Sequence, residues 1–374
     1  MNKLIHIVCP AVPYPASNGD LADTYRQLIQ LHHAGYDIIL HCFTNGRQEE
    51  TGHLGPLTSR IYLYERNMGH KGISFLHPYC ISSRSDPRLL KNLLLVKCPV
   101  IFQGIASTFF LPDLAREQYK IFIRLNGVAS AVSRSGMDCE KSVFRKLLAF
   151  QETRLTRKWE IAACKQAIVL AGNREDIYLL KDFCQDARIR WMPLMVDPPQ
   201  VSIEPGNGMY CFYFGDFSNP ENEQMARWLF EKIFRNSTIP LVLADTGSEP
   251  VPDQPYHHES NVCIIAQPTA SALEELIRKA QLVLLPRCHG HGFDNRIVQA
   301  LASGRHCVVN REMLNATGLD DLVVMANGCD SIKAAVSEYY AKPFTAKDIE
   351  ARKCGLAENL RTGVPEMVFD ELLA

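Results

Sequence analysis

Several features are missing from this chain. Its 374 residues include 13 cysteines but no Cys-x-x-Cys pair. Single spacing and an odd count argue against a disulfide scaffold and for a reducing compartment. Net charge is almost absent, since 40 Lys plus Arg against 41 Asp plus Glu leave −1. No global field exists to hold nucleic acid, so any bound anion must be met by a local cluster. No apolar run reaches the length of a membrane span. No small-residue cleavage site follows the apolar start Leu4–Cys9, which therefore reads as a first β-strand rather than a signal peptide. There is no G-x-S-x-G and no P-loop. No G-x-G-x-x-G follows the first strand either, which sets aside a dinucleotide-dependent oxidoreductase. What remains is average composition, 47% apolar and 22% charged. That excludes a disordered or fibrous chain, and the length suffices for two cores. The expectation is a soluble, cytoplasmic, two-domain protein.

Strand and helix signals alternate. Leu4–Cys9 is closed by Pro10, and a loop follows through Pro13, Pro15, Asn18 and Gly19. Ala22, Tyr25, Leu28, Ile29 and His32 then recur at helical spacing before Asp37–Phe43 reads as a second strand. This is the β-loop-α-β unit of a parallel sheet. Pro99–Phe102, Lys120–Leu125 and Gln166–Leu170 continue it, with a long helix over about 142–164. Pro198, Pro199, Pro205, Gly206 and Gly208 mark a connector. After it come strands at Met209–Phe214, Ile239–Ala244, Asn261–Ile265, Gln281–Pro286 and His306–Asn310, with helices near 221–234, 270–279 and 296–303. The fold class is α/β, with two Rossmann-like domains facing a cleft. The expected limits are residues 1–196 for a first domain, 197–208 for a linker, 209–345 for a second domain and 346–374 for a helical segment. Ligands in such sheets gather outside the strands' carboxyl ends.

The strongest chemical signal is His289–Gly304, which follows a buried strand and opens a helix. Glycines at a strand-to-helix junction let backbone N–H groups approach an anion, and the helix start adds partial positive charge. Arg296 in the first turn could fork onto a phosphate. Spacing alone leaves an ordinary tight turn with a solvated Arg296 as an equal alternative. Cys288, His289 and His291 lie too close together to wrap one tetrahedral ion, so no metal is expected. Cys9, Cys211, Cys263 and Cys307 fall in strand runs and read as core. Over 145–159, basic residues interleave with Val143, Leu147, Phe150 and Leu155. A surface helix packed by that apolar stripe is the favoured reading; a peripheral contact with anionic lipid is the rival, diluted by Glu152 and Glu160.

Gly292–Gly304 (GFDNRIVQALASG) resembles the donor-site segment of GT-B glycosyltransferases of the family 4 type. Tyr213–Asn222 is similar to the opening of their C-terminal domain. Trp191–Asp197 is similar to their linker entry, Pro13–Asp20 to the loop after the first strand, and Gly318–Leu322 to a short Gly-Leu segment. The resemblance implies glycosyl transfer from a nucleotide-diphospho-sugar to an acceptor hydroxyl, with retention and without metal or other cofactor. It also implies a glycan or lipid-linked acceptor, as in bacterial surface glycan or lipopolysaccharide assembly.

By the same resemblance, Asn18, Gly19, Gly215, Gly292, Phe293, Asp294, Asn295, Arg296 and Gln299 contact the donor. Asn126, His291 and Arg296 take the catalytic positions. Three of these depart from the family pattern: Gln299 stands for a ribose-binding Glu, His291 for another Glu, and Asn126 for a His. The substitutions also fit a degenerate member that binds sugar or a partner without turnover.

Overall fold

The computed structural model describes residues 3–14, 19–45, 51–131, 133–134, 143–172, 174–192, 200–247, 260–288, 294–314 and 319–360. The chain divides into two compact units, whose described residues end at Met192 in the first and begin at Gln200 in the second.

In the first unit, seven parallel strands form one sheet. They are β1 (Lys3–Cys9), β2 (Tyr36–Thr44), β3 (Arg60–Glu65), β4 (Val100–Gln103), β5 (Ile121–Leu125), β6 (Ile168–Ala171) and β7 (Arg188–Trp191), in the order β3-β2-β1-β4-β5-β6-β7. Successive side chains point to opposite faces, so each central strand feeds two cores. Val8, Val100, Phe102, Ile121 and Ile123 enter one core, and Ile5, Ile7, Ile101 and Phe122 enter the other. Crossover helices cover both faces, among them α1 (Gly19–His33), α2 (Pro87–Leu94), α3 (Val143–Gln166) and α4 (Arg174–Phe183).

Edge strands β3 and β7 were not expected. Arg188–Trp191 is largely exposed, so it lacks the continuous apolar run of a buried strand. Helix α3 corrects another expectation. Its apolar stripe is not its packed face, because Leu147 and Phe150 are exposed and Leu155 is half-buried. The helix buries Thr156, Glu160, Ala163 and Cys164 instead. Glu160 points inward because its carboxylate accepts the backbone N–H groups of Ala129 at 2.7 Å and Ser130 at 3.2 Å.

Across β1, β2 and β3 runs a buried polar chain. His6 Nδ1 lies 2.9 Å from His41 Nε2, and His41 Nδ1 lies 2.9 Å from the Tyr64 hydroxyl. Asn92 Nδ2 donates to that hydroxyl at 2.9 Å, while His6 Nε2 meets the Val96 carbonyl at 3.0 Å. A carbonyl only accepts, so His6 carries its proton on Nε2 and accepts on Nδ1. His41 then donates from Nε2 and accepts from Tyr64. Every link therefore runs one way, and both imidazoles are neutral.

The second unit repeats the pattern with six parallel strands: β8 (Cys211–Gly215), β9 (Leu241–Asp245), β10 (Val262–Ala266), β11 (Leu282–Leu284), β12 (His306–Val309) and β13 (Val324–Met325). Their order is β10-β9-β8-β11-β12-β13. Helices α5 (Pro220–Leu229), α6 (Ala270–Lys279), α7 (Arg296–Ser303), α8 (Gly328–Tyr340) and α9 (Ala346–Asn359) accompany them. Of the cysteines expected in cores, Cys9, Cys211 and Cys307 are buried, and burial pushes the Cys307 thiol up to about 12. Cys263 is exposed, since β10 is an edge strand.

Residues 200–208 are packed on this unit rather than strung free as a connector. Ile203 is buried, Ser202 N–H donates to the Ala302 carbonyl at 3.0 Å, and Gly206 pairs with Phe344 in both directions. Arg352 pins α9 to the end of α7, its guanidinium donating to the carbonyls of Gly304 and Arg305.

Candidate functional site

Both sheets reverse direction once. In the second unit the strand order turns between β8, whose chain proceeds to β9, and β11, whose chain proceeds to β12. Loops leaving two such neighbouring strands part to opposite faces and open a crevice at their carboxyl ends. Gly215 ends β8 there, and α7 begins there.

The Arg296 side chain reaches back across that junction. Its Nη1 donates to the Phe214 carbonyl at 2.9 Å, and its Cζ lies 5.9 Å from the Tyr213 ring. Only glycine permits this approach, because a Cβ on residue 215 would stand 2.7 Å from Arg296 Nη1 and 3.0 Å from Asn222 Cγ. The same guanidinium is held bidentate by Asp294, with Nε–Oδ1 at 3.0 Å and Nη2–Oδ2 at 2.6 Å. Asp294 Oδ1 also accepts the Arg296 backbone N–H at 3.0 Å and so caps the helix. Asn295, the residue before the helix, makes no side-chain cap.

Electrostatics follow from the pairing. Burial would raise the Asp294 carboxyl, but Arg296 and Arg287 outweigh it and hold its pKa below the ordinary value. Burial would lower Arg296, and the neighbouring Asp294 carboxylate instead holds it up. Arg287 stands beside the pair, with Nε 3.7 Å from Glu221 Oε1 and 3.9 Å from Asp294 Oδ2. Arg287 and Glu221 thus belong to this cluster, though sequence reasoning missed both. The available signal was Arg287 directly after Pro286, at the mouth of a buried strand. Gln299 is exposed on α7, while its neighbours Val298 and Ala300 are buried.

In the first unit the order turns between β1 and β4. Helix α1, which follows β1, starts at Gly19. One turn on, Asp23 is buried and paired with Arg124 of β5: Nε–Oδ2 is 2.9 Å and Nη2–Oδ1 is 3.1 Å. Asn126 Nδ2 donates to Asp23 Oδ2 at 3.1 Å, and the buried Asn126 Oδ1 has no partner among the described residues. Desolvation raises the Asp20 carboxyl above its ordinary pKa; a hydrogen bond from Asn126 opposes this and the Asp23 charge adds to it. Asp20, Asp23 and Arg124 also escaped the sequence reading. An arginine inside the apolar run KIFIRL was the signal that could have found the pair.

The structure therefore brings Gly215, Asp294 and Arg296 together in one unit, with Gln299 exposed one turn further along α7. It places Asn126 in a separate polar cluster of the other unit. Asn18, His291, Gly292 and Phe293 lie outside the described residues. Among the described residues, no group of three His, Cys, Asp or Glu side chains is arranged to hold a metal ion.

No protein-family model matches the chain, and no curated protein matches it. Solved structures do. A UDP-forming α,α-trehalose-phosphate synthase from Burkholderia xenovorans, in complex with glucose-6-phosphate, superposes with a TM-score of 0.64 at 13% identity over 100% of both chains. Anabaena HepE, in complex with UDP and glucose, gives 0.63 at 11% identity over 100% of this chain and 99% of that one. A glycosyltransferase from Rickettsia africae gives 0.62 at 11% identity over 99% and 97%. The chain has the GT-B fold.

Within this GT-B chain, Gly215→Ala is the sharpest probe of the junction. The added methyl must displace an arginine that the Phe214 carbonyl and the Asp294 carboxylate hold in place. A loss of about 1–3 kcal/mol in stability is expected. Thermal unfolding of the variant would check it.

Proposed function

We propose that the chain transfers a glycosyl group from a nucleotide-diphospho-sugar to an acceptor hydroxyl, with retention and without a bound metal. The observation that carries this reading is the β8–α7 junction of a GT-B fold, where Gly215 admits the Arg296 guanidinium to a helix start. An anion there meets the helix dipole and the Arg287–Arg296 pair of cations, so charge developing on a departing diphosphate is stabilised. Gly292 and Phe293 add backbone N–H groups, and Asn18 and Gly19 come from the other unit. Gln299, exposed one turn beyond Arg296 on α7, bonds the ribose. In the reaction the bond from the sugar's anomeric carbon to the phosphate oxygen breaks, its electron pair staying on the diphosphate. The acceptor oxygen bonds to that carbon, and its proton passes to the leaving phosphate oxygen.

Asn126 fits this assignment of the base. An amide cannot take the proton, but its Oδ1, without a partner among the described residues, can accept a hydrogen bond from a sugar or acceptor hydroxyl. The acceptor is a glycan or a lipid-linked sugar of surface glycan assembly. One observation favours a second reading, binding without turnover: Asp294 already neutralises Arg296.

Incubation with UDP-, GDP- and ADP-sugars, measuring released nucleotide with and without acceptor, separates the two. Turnover of one donor is expected, and saturable binding with no release would favour the second. Activity is also expected to survive EDTA. A loss restored by Mn or Mg would show that a cation, not protein groups, meets the phosphate charge.

A further inference from the structure

We infer that the acceptor carries an anionic group, a phosphate or a carboxylate, and that Arg66 and Arg84 of the first unit bind it. This rests on the glycosyl-transfer reading and adds the acceptor's chemical class to it. Arg84 is only 9% exposed. Its Nε donates to the Pro10 carbonyl at 3.0 Å and its Nη1 to the Cys80 carbonyl at 2.6 Å, and its Nη2 has no partner among the described residues. A buried cation is costly unless a counter-charge meets it. Arg124 and Arg296 each lie on a carboxylate, and Arg352 spends both Nη groups on the carbonyls at the end of α7. Arg84 has neither arrangement. Burial and the neighbouring Arg66 charge push it down to about 10, so it stays charged at neutral pH.

Arg66 is the second cation. It follows the carboxyl end of β3, its Nε donates to Ser83 Oγ at 3.0 Å, and its Cζ lies 5.6 Å from the Tyr79 ring centroid. Its two Nη groups also have no partner among the described residues. The carboxylates of this region are engaged elsewhere. Asp86 forks onto Arg88, with Nε–Oδ2 at 3.0 Å and Nη2–Oδ2 at 2.6 Å, and Glu65 acts on the same Arg88. Glu152 of α3 accepts backbone hydrogen bonds from Tyr79 and Cys80. Two adjoining guanidinium groups repel each other, and an anion bound to both removes that cost.

The segment that carries both arginines is internally braced. Asn67 N–H donates to the Ser83 carbonyl at 2.8 Å, Asn67 Nδ2 to Ser85 Oγ at 3.2 Å, and Ser82 Oγ to the Gly72 carbonyl at 2.6 Å. Binding there orders little that is not already ordered, which keeps the entropic cost low. The place also suits an acceptor. Pro10 follows β1, Arg66 follows β3 and Asn126 follows β5, so all three stand at the carboxyl edge of one sheet. Only β4 separates β1 from β5, so the Arg84 contact at Pro10 lies two strand spacings, about 10 Å, from Asn126. One sugar with an anionic substituent bridges that span. Its hydroxyls meet the Asn126 amide oxygen while its phosphate or carboxylate takes the planar guanidinium forks, whose geometry matches either group.

The test is calorimetric titration of the full chain with glucose, galactose and mannose, each as the neutral sugar, its 1- and 6-phosphates and its uronate. At least one anionic form should bind at least tenfold tighter than its neutral parent, and raised salt should narrow the gap. Phosphate or uronate, whichever binds, identifies the anion. Arg66→Gln should remove most of that gap at an unchanged melting temperature, because this side chain is half-buried and gives up one side-chain hydrogen bond. Arg84→Gln should remove it too, and Arg84→Lys, which keeps the charge, should retain part of it. No anionic form binding tighter than its neutral parent would overturn the inference, as would a gap unchanged in folded Arg66→Gln. Anionic binding lost in Arg66→Gln, in a chain that turns over no nucleotide-sugar, would leave the anion site standing and remove the transferase reading. Turnover onto a neutral sugar, with no preference for its anionic forms, would do the reverse.

Discussion

Asp23→Ala is expected to cost the first unit about 3–5 kcal/mol of stability, the usual loss when one partner of a buried ion pair is removed. Both side chains of the Asp23–Arg124 pair are only 1% exposed. Arg124 also donates to the Met192 carbonyl, which binds the end of β7 to the centre of the sheet. Without Asp23 the guanidinium loses its counter-ion, and it cannot shed its proton to escape. Asn126 Nδ2 would lose its acceptor as well. A double variant, Asp23→Leu with Arg124→Met, should be less damaged than Asp23→Ala, since no charge is then stranded. Urea unfolding of the three proteins checks this; equal stabilities for wild type and Asp23→Ala would show that the pair is not buried in solution.

Acid should destabilise the same unit, beginning below pH 6.5. Burial lowers the His41 imidazole from 6.5 to about 3, with the neighbouring His6 adding to the effect, and burial lowers His6 too. The sign follows from which state binds protons. Above pH 6.5 His41 is neutral whether folded or unfolded, so it contributes no pH dependence. Below 6.5 the unfolded chain takes a proton that the folded chain refuses until about pH 3, so unfolding is favoured progressively across that window. At pH 4.5 the loss from His41 alone is about 3 kcal/mol, two pH units at about 1.4 kcal/mol each. The one-way hydrogen-bond chain supplies the structural reason: a proton on either imidazole sets a donor against a donor or strips the Tyr64 hydroxyl of its acceptor. Urea midpoints should therefore fall between pH 6.5 and 4.5, and His41→Leu should flatten that fall. A slope unchanged in the variant would place the acid sensitivity elsewhere.

Legibility in the sequence followed burial. Central strands such as Ile121–Leu125 and Leu241–Asp245 are buried on both faces and apolar except for Arg124 and Asp245, and a run of that kind is readable without neighbours. Helices 270–279 and 296–303 were read to the residue, because a Thr269 cap and the Asp294–Asn295 turn punctuate their starts. The edge strands β3, β7 and β13 were not seen, since half-exposed residues carry no continuous pattern. The stripe on α3 misled for a related reason. Helical spacing shows which side chains share a face, but not which face meets the sheet, and there Glu160 and Ala163 face inward.

The candidate site was legible in its glycines and helix start, but not in its ion pairs. The Asp294 carboxylate lies on Arg296 two residues away, a pairing the sequence reading did not include. Glu221 and Arg287 are separated by 66 residues of chain and meet only because β8 and β11 are neighbours. Asn126 was read correctly as a non-basic residue. Its partners, Asp20 and Asp23, come from a helix a hundred residues earlier, and no local spacing could link them.

Calorimetric titration of the intact chain with UDP, GDP and ADP in EDTA tests the central reading most directly. One of the three should bind saturably at one per chain. Arg296→Ala, if it remains folded, should weaken that binding by about 2 kcal/mol, because a charge-assisted contact to the diphosphate is lost. No binding by any nucleotide, or full affinity in a folded Arg296→Ala variant, would contradict a donor site at the start of α7.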